Sequence, residues 1–195
     1  METSICVATP CYRSDPQVAL KWGASILVKS NFAGTSSAVT MCALIDFARE
    51  RLVTQFLATE CTHLFFRDDD IFIEPKVFQR LVAEAKPIVV APYYKRISAA
   101  AVWAREALGC TLIHRSVIER MYDRYPELHY EVEGNKFVGL FDSIYIEEDS
   151  KKRKLREDGA FFYRAAQCGI EVHKLLDVIV DHAGVVSHYR NDTTP

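Results

Sequence analysis

Three consecutive carboxylates, Asp68-Asp69-Asp70, stand between two apolar runs, His63-Leu64-Phe65-Phe66 and Ile71-Phe72-Ile73, with Arg67 at the junction. Runs this short read as strands that demand burial, so the acids are forced to the mouth of a buried strand. Adjacent anions repel one another, and a fold offsets that cost with positive charge, commonly a divalent cation. Carboxylate and water ligands suit Mg2+ or Mn2+, and Mg2+ is held by one or two carboxylates together with substrate phosphates. The competing reading is a solvated acidic turn with no ligand.

Around that run, strand-like and helix-like segments alternate, which predicts an α/β sheet that is mostly parallel at its start. Ile5 to Thr9 reads as a buried strand ending at Pro10. Asp15-Pro16 supplies an N-cap and a first-turn proline for a helix to about Lys29, with Val18, Trp22 and Ile26 as its apolar stripe. Asn31 to Ser37, rich in Gly, Ser and Thr, is expected to be a loop. A second helix is expected from Val39 to Ala58, with Leu44, Ala48, Leu52 and Phe56 on one face. His63 to Phe66 then delivers the acids at a strand's carboxyl end, where open α/β sheets bind ligands.

Glu74-Pro75 opens a third helix to about Ala85, and Pro87 to Ala91 is a strand ended by Pro92-Tyr93-Tyr94-Lys95-Arg96. Further strands are expected at Leu108 to Ile113, Lys136 to Phe141, Val172 to Leu176 and Val178 to Val180. Helices are expected at Arg115 to Arg124 and at Glu157 to Cys168, the second closed by Gly169. A polar stretch fills the interval between Phe141 and Arg156.

A chain of 195 residues suits one domain, and 49% hydrophobic with 26% charged residues are globular values. The net charge of −2 argues against a general nucleic-acid binder. One basic run, Lys151-Lys152-Arg153-Lys154 with Arg156 beyond it, reads as a solvated loop or as a contact for an anionic substrate. The six cysteines (6, 11, 42, 61, 110 and 168) form no CxxC pair, and their apolar neighbours suit reduced, buried thiols. Ser4 to Ala8 is too short and lacks the basic leader of a signal peptide, and no apolar run approaches the ~20 residues of a membrane span. The expectation is a soluble cytoplasmic protein.

Four further segments carry chemistry. In Val7-Ala8-Thr9-Pro10-Cys11-Tyr12-Arg13, a strand-end loop can offer backbone donors to a flat base and Tyr12 as a stacking face; an ordinary β-to-α turn is the plainer reading. Arg49 flanks the apolar stripe of its helix and can reach a base or phosphate, or pair with Glu50 or Asp46. Glu157 and Asp158 open a helix, where carboxylates complement the dipole by ~0.3–1 kcal/mol. Aimed into a cleft, such a pair instead binds an acceptor hydroxyl and withdraws its proton. His182, in Asp181-His182-Ala183-Gly184, is either a metal ligand or a hydrogen-bonded surface histidine, with His188 as competitor.

The order and spacing of these pieces carry more than any one of them. The segments Ala8 to Tyr12, Ala48 to Leu52, Asp68 to Asp70, Gly109 to Arg120, Glu157 to Gly169 and His182 to Gly184 together resemble a GT-A fold glycosyltransferase. Such enzymes use a nucleotide-diphosphate sugar and a divalent metal, Mn2+ or Mg2+. The resemblance implies a single domain with a Rossmann-like mixed sheet flanked by helices. It implies that Thr9, Pro10, Tyr12, Arg13 and Arg49 hold the nucleotide, most often uridine, with Asp68 and Asp69 on the nucleotide-sugar side. Asp68, Asp70 and His182 would ligate the metal, Gly109 would make room for the donor sugar, and Asp158 with Glu157 would face the acceptor. Where the family has an apolar residue before D-x-D, this chain has Arg67. A narrower resemblance is to soluble glycosyltransferase domains of chlorella-infecting viruses that glycosylate the capsid protein, which adds rhamnose to the candidate sugars and a glycoprotein to the candidate acceptors. A nucleotidyltransferase also holds metal with aspartates on an α/β sheet, but would open with a glycine-rich phosphate loop, and Pro10 to Ser14 contains no glycine. A catalytically silent nucleotide-sugar-binding module is the third reading.

Overall fold

The computed structural model describes residues 2–12, 15–40, 44–97, 100–104, 107–178 and 180–182. Its helices are α1 (Pro16–Ser30), α2 (Ile45–Leu57), α3 (Pro75–Ala83), α4 (Arg115–Arg124) and α5 (Glu157–Gln167). Its strands are β1 (Ser4–Cys11), β2 (Ala33–Thr40), β3 (His63–Arg67), β4 (Ile71–Phe72), β5 (Ile88–Val90), β6 (Tyr93–Ile97), β7 (Ala100–Ala104), β8 (Cys110–His114), β9 (His129–Val132), β10 (Asn135–Val138), β11 (Ile144–Glu148), β12 (Lys151–Leu155), β13 (Val172–Lys174) and β14 (Asp181–His182).

Six strands form one sheet in the order β13-β5-β8-β3-β1-β2. The strands β1, β2 and β3 run parallel, β13 runs parallel to β5, and β8 is antiparallel to both β3 and β5. Alternate residues of each strand serve opposite faces. On β1, Cys6 and Ala8 enter a core with Leu52 and Phe56 of α2, Ile118 of α4 and Phe161 of α5. Ile5 and Val7 enter the opposite core with Ile26 and Leu27 of α1 and Phe78 and Leu81 of α3. Burial on both faces is what makes the central strands near-continuous apolar runs. The result is a mixed sheet between two helical layers, as the sequence predicts.

Several local expectations are corrected. Asn31 to Ser37 is not a loop: residues 33 to 40 form the edge strand β2, in register with β1 from Ser4↔Ala33 to Cys11↔Thr40. An edge strand needs backbone pairing on one side only, so small polar side chains suffice. Gly23 of α1 allows the helix to lie on that strand, since a Cβ there would meet Ser36 Oγ and approach Val7 Cγ1 to 3.2 Å. The buried stripe of α1 is therefore Ala19, Gly23, Ile26, Leu27 and Ser30, while Val18 is exposed. The Asp15 cap holds as expected, accepting from Gln17 N at 2.8 Å.

The second helix starts at Ile45 rather than Val39, and Leu44 stands before it, exposed. The polar interval before Arg156 is a hairpin, β11–β12, so the basic run is a strand rather than a loop. The last short strand falls at Asp181–His182, beyond Val178 and Val180, and pairs with β4. The five described cysteines, Cys6, Cys11, Cys61, Cys110 and Cys168, are buried; Cys42 lies outside the described residues. Among the described residues no helix is long and apolar enough to cross a membrane.

The hairpin β9–β10 docks on α2 through a buried polar contact. Glu50 is 2% exposed and accepts a short hydrogen bond from the Tyr130 hydroxyl. Burial pushes the Glu50 carboxyl up to about 7, helped by Asp142 and Asp46 and opposed by the Tyr130 bond and Arg164. A carboxyl whose folded value exceeds its unfolded value makes the folded state bind the proton more tightly. Stability then falls as pH rises from about 4.5 to about 7. Glu50→Gln should remove that slope, matching wild type near pH 4.5 and exceeding it at pH 8 by ~1–3 kcal/mol. Urea unfolding midpoints between pH 4.5 and 8.5 test this, and parallel curves for the two proteins refute it.

Candidate functional site

The site lies at the carboxyl end of β3, where the chain leaves the sheet. Asp68 stays on the strand's line, its N–H donating to Gly109 O at 3.0 Å beside β8. From α2, Arg49 reaches the same point: its Nη2 lies 3.1 Å from Asp68 Oδ1 and 3.6 Å from Asp158 Oδ1. Asp158, at the start of α5, also accepts from Leu108 N at 3.3 Å. One guanidinium thus joins the turn after β3, helix α2 and the N-terminus of α5.

Arg49 is 1% exposed, and its Nε and Nη1 have no hydrogen-bond partner among the described residues. Burial alone would lower its pKa, but Asp68 and Asp158 hold it above its usual value. The guanidinium carbon also sits 5.3 Å from the centre of the Phe66 ring. Of its two sequence-level readings, the geometry realises an ion pair, with Asp68 and Asp158 in place of the expected Glu50 or Asp46. A buried charge of this kind persists only when paired.

The other two acids of the run turn elsewhere. Asp69 Oδ2 accepts from Tyr12 N at 2.9 Å, tying the end of β1 to the acidic turn. Asp70 Oδ2 lies 3.2 Å from His182 Nε2, because β14 pairs with β4 in the register His182↔Ile71. Distant in sequence, His182 and Asp70 are neighbours in space. Ala183, Gly184 and His188 lie outside the described residues, as does Arg13.

Among the described residues no group of three or more His, Cys, Asp or Glu side chains is disposed to hold a metal ion. The expected trio of Asp68, Asp70 and His182 is thus not assembled, because Asp68 is drawn to Arg49. The remaining pair offers one carboxylate and one imidazole, both metal-ligand types, in direct contact at 3.2 Å.

The remaining expected residues are placed as follows. Thr9 and Pro10 are buried within β1, and the Thr9 hydroxyl has no partner among the described residues. Tyr12 is 63% exposed beside the acidic turn. Glu157 is half-buried next to Asp158. At Gly109 an added Cβ would collide with the Asp68 carboxylate and the Tyr93 hydroxyl, so the room glycine gives is taken by those two groups.

Two residues of the site escaped the sequence reading. Tyr93, 1% exposed, stands between Asp68 and His182, its ring 5.4 Å from the imidazole. Burial and the Asp68 and Asp158 carboxylates push its phenol well above the ordinary value, so it is a neutral donor. Its signal was the aromatic pair Tyr93-Tyr94, which opens β6. Arg67, at the position before the acids that was expected to be apolar, does structural work. It is 3% exposed, donates from Nη1 to Ile71 O at 2.9 Å, and lies 4.2 Å over the Trp22 ring. It clamps the two ends of the acidic turn together.

No family model matches the chain, and no curated protein matches it in sequence. Solved structures do match in fold. One is a glycosyltransferase involved in the glycosylation of the major capsid of PBCV-1, with 10% identity and a TM-score of 0.41 over 63% of this chain and 66% of that one. The chain therefore spans just under two thirds of that protein's structure. Another is 4-diphosphocytidyl-2C-methyl-D-erythritolsynthase from Anaerococcus prevotii DSM 20548, with 9% identity and a TM-score of 0.50 over 89% of this chain and 88% of that one. At such identities the likeness defines architecture: the chain has a GT-A-like α/β fold.

The central ion pair gives a direct test. Arg49→Met leaves Asp68 and Asp158 facing each other uncompensated and should destabilise the protein by ~3–5 kcal/mol in urea unfolding. Adding Asp68→Asn and Asp158→Asn to Arg49→Met should recover a large part of that loss. A triple variant no more stable than Arg49→Met would show that the guanidinium is held for packing rather than charge.

Proposed function

We propose that residues 1–195 form one GT-A-type glycosyltransferase domain that moves a sugar from a nucleotide-diphosphate donor to a glycan hydroxyl. The observation that carries this reading is the convergence of Asp158, Asp68 and the Asp70–His182 pair at one sheet edge. The donor is proposed to be a UDP-sugar, with hexose or rhamnose as the sugar, and the acceptor a glycan, including one borne on a glycoprotein. The nucleotide would lie over the end of β1, with Tyr12 against the base and the diphosphate towards Asp70 and His182. A Mn2+ or Mg2+ ion held by that pair would neutralise charge building on the departing diphosphate.

This chain's own residues supply positioning. Arg49 holds Asp68 and Asp158 in a fixed relation, which pre-orients the groups that would meet donor and acceptor. Asp158, with one oxygen held by Leu108 N, would take the proton of the acceptor hydroxyl in an inverting reaction. In a retaining reaction Asp158 and Glu157 would instead orient the acceptor. The Tyr93 hydroxyl, kept protonated by its surroundings, can donate at the donor side.

A nucleotidyltransferase is the second reading. It is favoured by the 89% of this chain that superposes on a structure whose name carries a diphosphocytidyl group. The two readings differ in what they consume. A glycosyltransferase turns over a nucleotide sugar and releases a nucleoside diphosphate, whereas a nucleotidyltransferase consumes a nucleoside triphosphate and releases pyrophosphate.

The deciding experiment is a thermal-shift screen of nucleotide sugars and nucleoside triphosphates, each with Mn2+ and with EDTA, followed by turnover assays on the hits. A ligand that binds the native state raises its stability by mass action. UDP should bind more tightly with Mn2+ than with EDTA, and Asp70→Ala and His182→Ala should each erase the difference. Equal affinity with and without metal in titration calorimetry rules out the metal-bridged diphosphate. Stabilisation by a triphosphate with pyrophosphate release selects the second reading, and binding without turnover selects a silent module.

Binding and chemistry separate at Asp158. Asp158→Asn keeps the shape, removes the charge and should lower turnover ~10²-fold or more with UDP affinity nearly unchanged. A comparable loss of UDP affinity would place Asp158 with the donor, and unchanged turnover would return it to a helix-terminal role.

A further inference from the structure

The hairpin β11–β12 is absorbed by neither the sheet nor the site. Among the described residues it pairs only with itself, and its residues from Glu147 to Glu148 and Lys151 to Lys154 are exposed. A bare two-stranded hairpin is marginal in water, so the side chains it displays bear on why it persists. Its register places Tyr145 opposite Lys154 and Glu147 opposite Lys152 on one face, with Ile146 opposite Arg153 and Glu148 opposite Lys151 on the other.

Each face carries two cations and one carboxylate, but their side chains are disposed differently. On the second, Arg153 Nη1 is neutralised by Glu148 Oε2 at 2.9 Å. On the first, Lys152 and Lys154 make no ion pair among the described residues. Their ammonium groups stand 4.8 and 5.8 Å from the centre of the Tyr145 ring, which is still 62% exposed. The alternation continues to Arg156, exposed and in extended backbone (φ −81°, ψ −176°) as the N-cap of α5. Three cations then recur at every second residue, about 6.5–7 Å apart, and lead towards Asp158 two positions further on.

We infer that the Tyr145–Lys152–Lys154 face of this hairpin, continued by Arg156, is the acceptor-docking surface, and that the acceptor is an acidic glycan. This rests on the glycosyltransferase reading of the site. An exposed aromatic ring suits the apolar face of a sugar, and flanking cations suit carboxylates or phosphates on that sugar. With a net charge of −2, the chain as a whole offers a polyanion no general attraction.

The test uses the full chain, oligogalacturonate as an acidic probe, and its fully methyl-esterified form as the neutral counterpart. Binding is read by titration calorimetry, with UDP affinity measured in parallel. Oligogalacturonate should bind wild type, and the ester about tenfold more weakly or worse. Lys152→Gln with Lys154→Gln should weaken oligogalacturonate about tenfold, against less than about threefold for Lys151→Gln with Arg153→Gln on the opposite face, which lacks the tyrosine ring. All these substitutions are at exposed positions, and UDP affinity should not change in either variant. Equal losses from the two faces, equal binding of acid and ester, or equally tight binding of a single-stranded DNA oligonucleotide would each overturn the proposal. Face-specific binding in a protein that turns over no nucleotide sugar would keep the surface as an acidic-glycan site and sink the transferase reading instead.

Discussion

A guanidinium sealed from water holds this site together. Arg49 is drawn between Asp68, on the turn after β3, and Asp158, at the start of α5, from a helix whose other buried residues are apolar apart from Glu50. Lysine would not serve equally: the planar fork of arginine can address two carboxylates and lie against Phe66 at once. Because the three elements come from distant parts of the chain, the pair fixes their mutual position more tightly than apolar packing, which tolerates small slips. Gly109 belongs to the same constraint, since only a residue without a Cβ lets Asp68 and Tyr93 close in from opposite sides.

In the sequence the acidic run reads as a solvated turn or as a charge problem answered by a cation, with Asp68 and Asp70 among its ligands. The fold disperses it instead. Asp68 is answered by an arginine, Asp69 by the backbone N–H of Tyr12, and Asp70 by an imidazole. Successive residues in a turn point in different directions, so adjacency in sequence does not place three carboxylates around one point. Arg67 completes this arrangement from inside the turn, with Asp69 supporting its charge against the cost of burial.

The parts of the fold legible in the sequence were those set by local signals. The Asp15-Pro16 start of α1, the Arg115–Arg124 helix and the strand before the acidic run follow from caps, prolines and apolar periodicity. What stayed hidden depended on neighbours. The composition of residues 33 to 40 says loop, and only the free edge of β1 makes them a strand. Val18 has the spacing of a core residue, yet the small Ala19 and Gly23 face the sheet because α1 lies so close to it. In the site, residue types and their gathering at one edge were readable. The partner of each acid was not, since it depends on side-chain directions that spacing leaves undetermined, and Tyr93 was visible only as an aromatic after a strand.

The pairing of Asp181–His182 with Ile71–Phe72 has a temporal consequence. The six-stranded sheet has all its strands once Lys174 has been made, whereas the imidazole beside Asp70 arrives eight residues later and closes a loop of more than a hundred residues. On a ribosome, which extends the chain from its N-terminus, architecture can therefore precede competence. A nascent chain lacking this clasp would already possess both cores but not the completed Asp70–His182 pair. Long-range closures of this kind are the slow ones in folding, so assembly of the acidic turn's final partner would be the last step rather than the first.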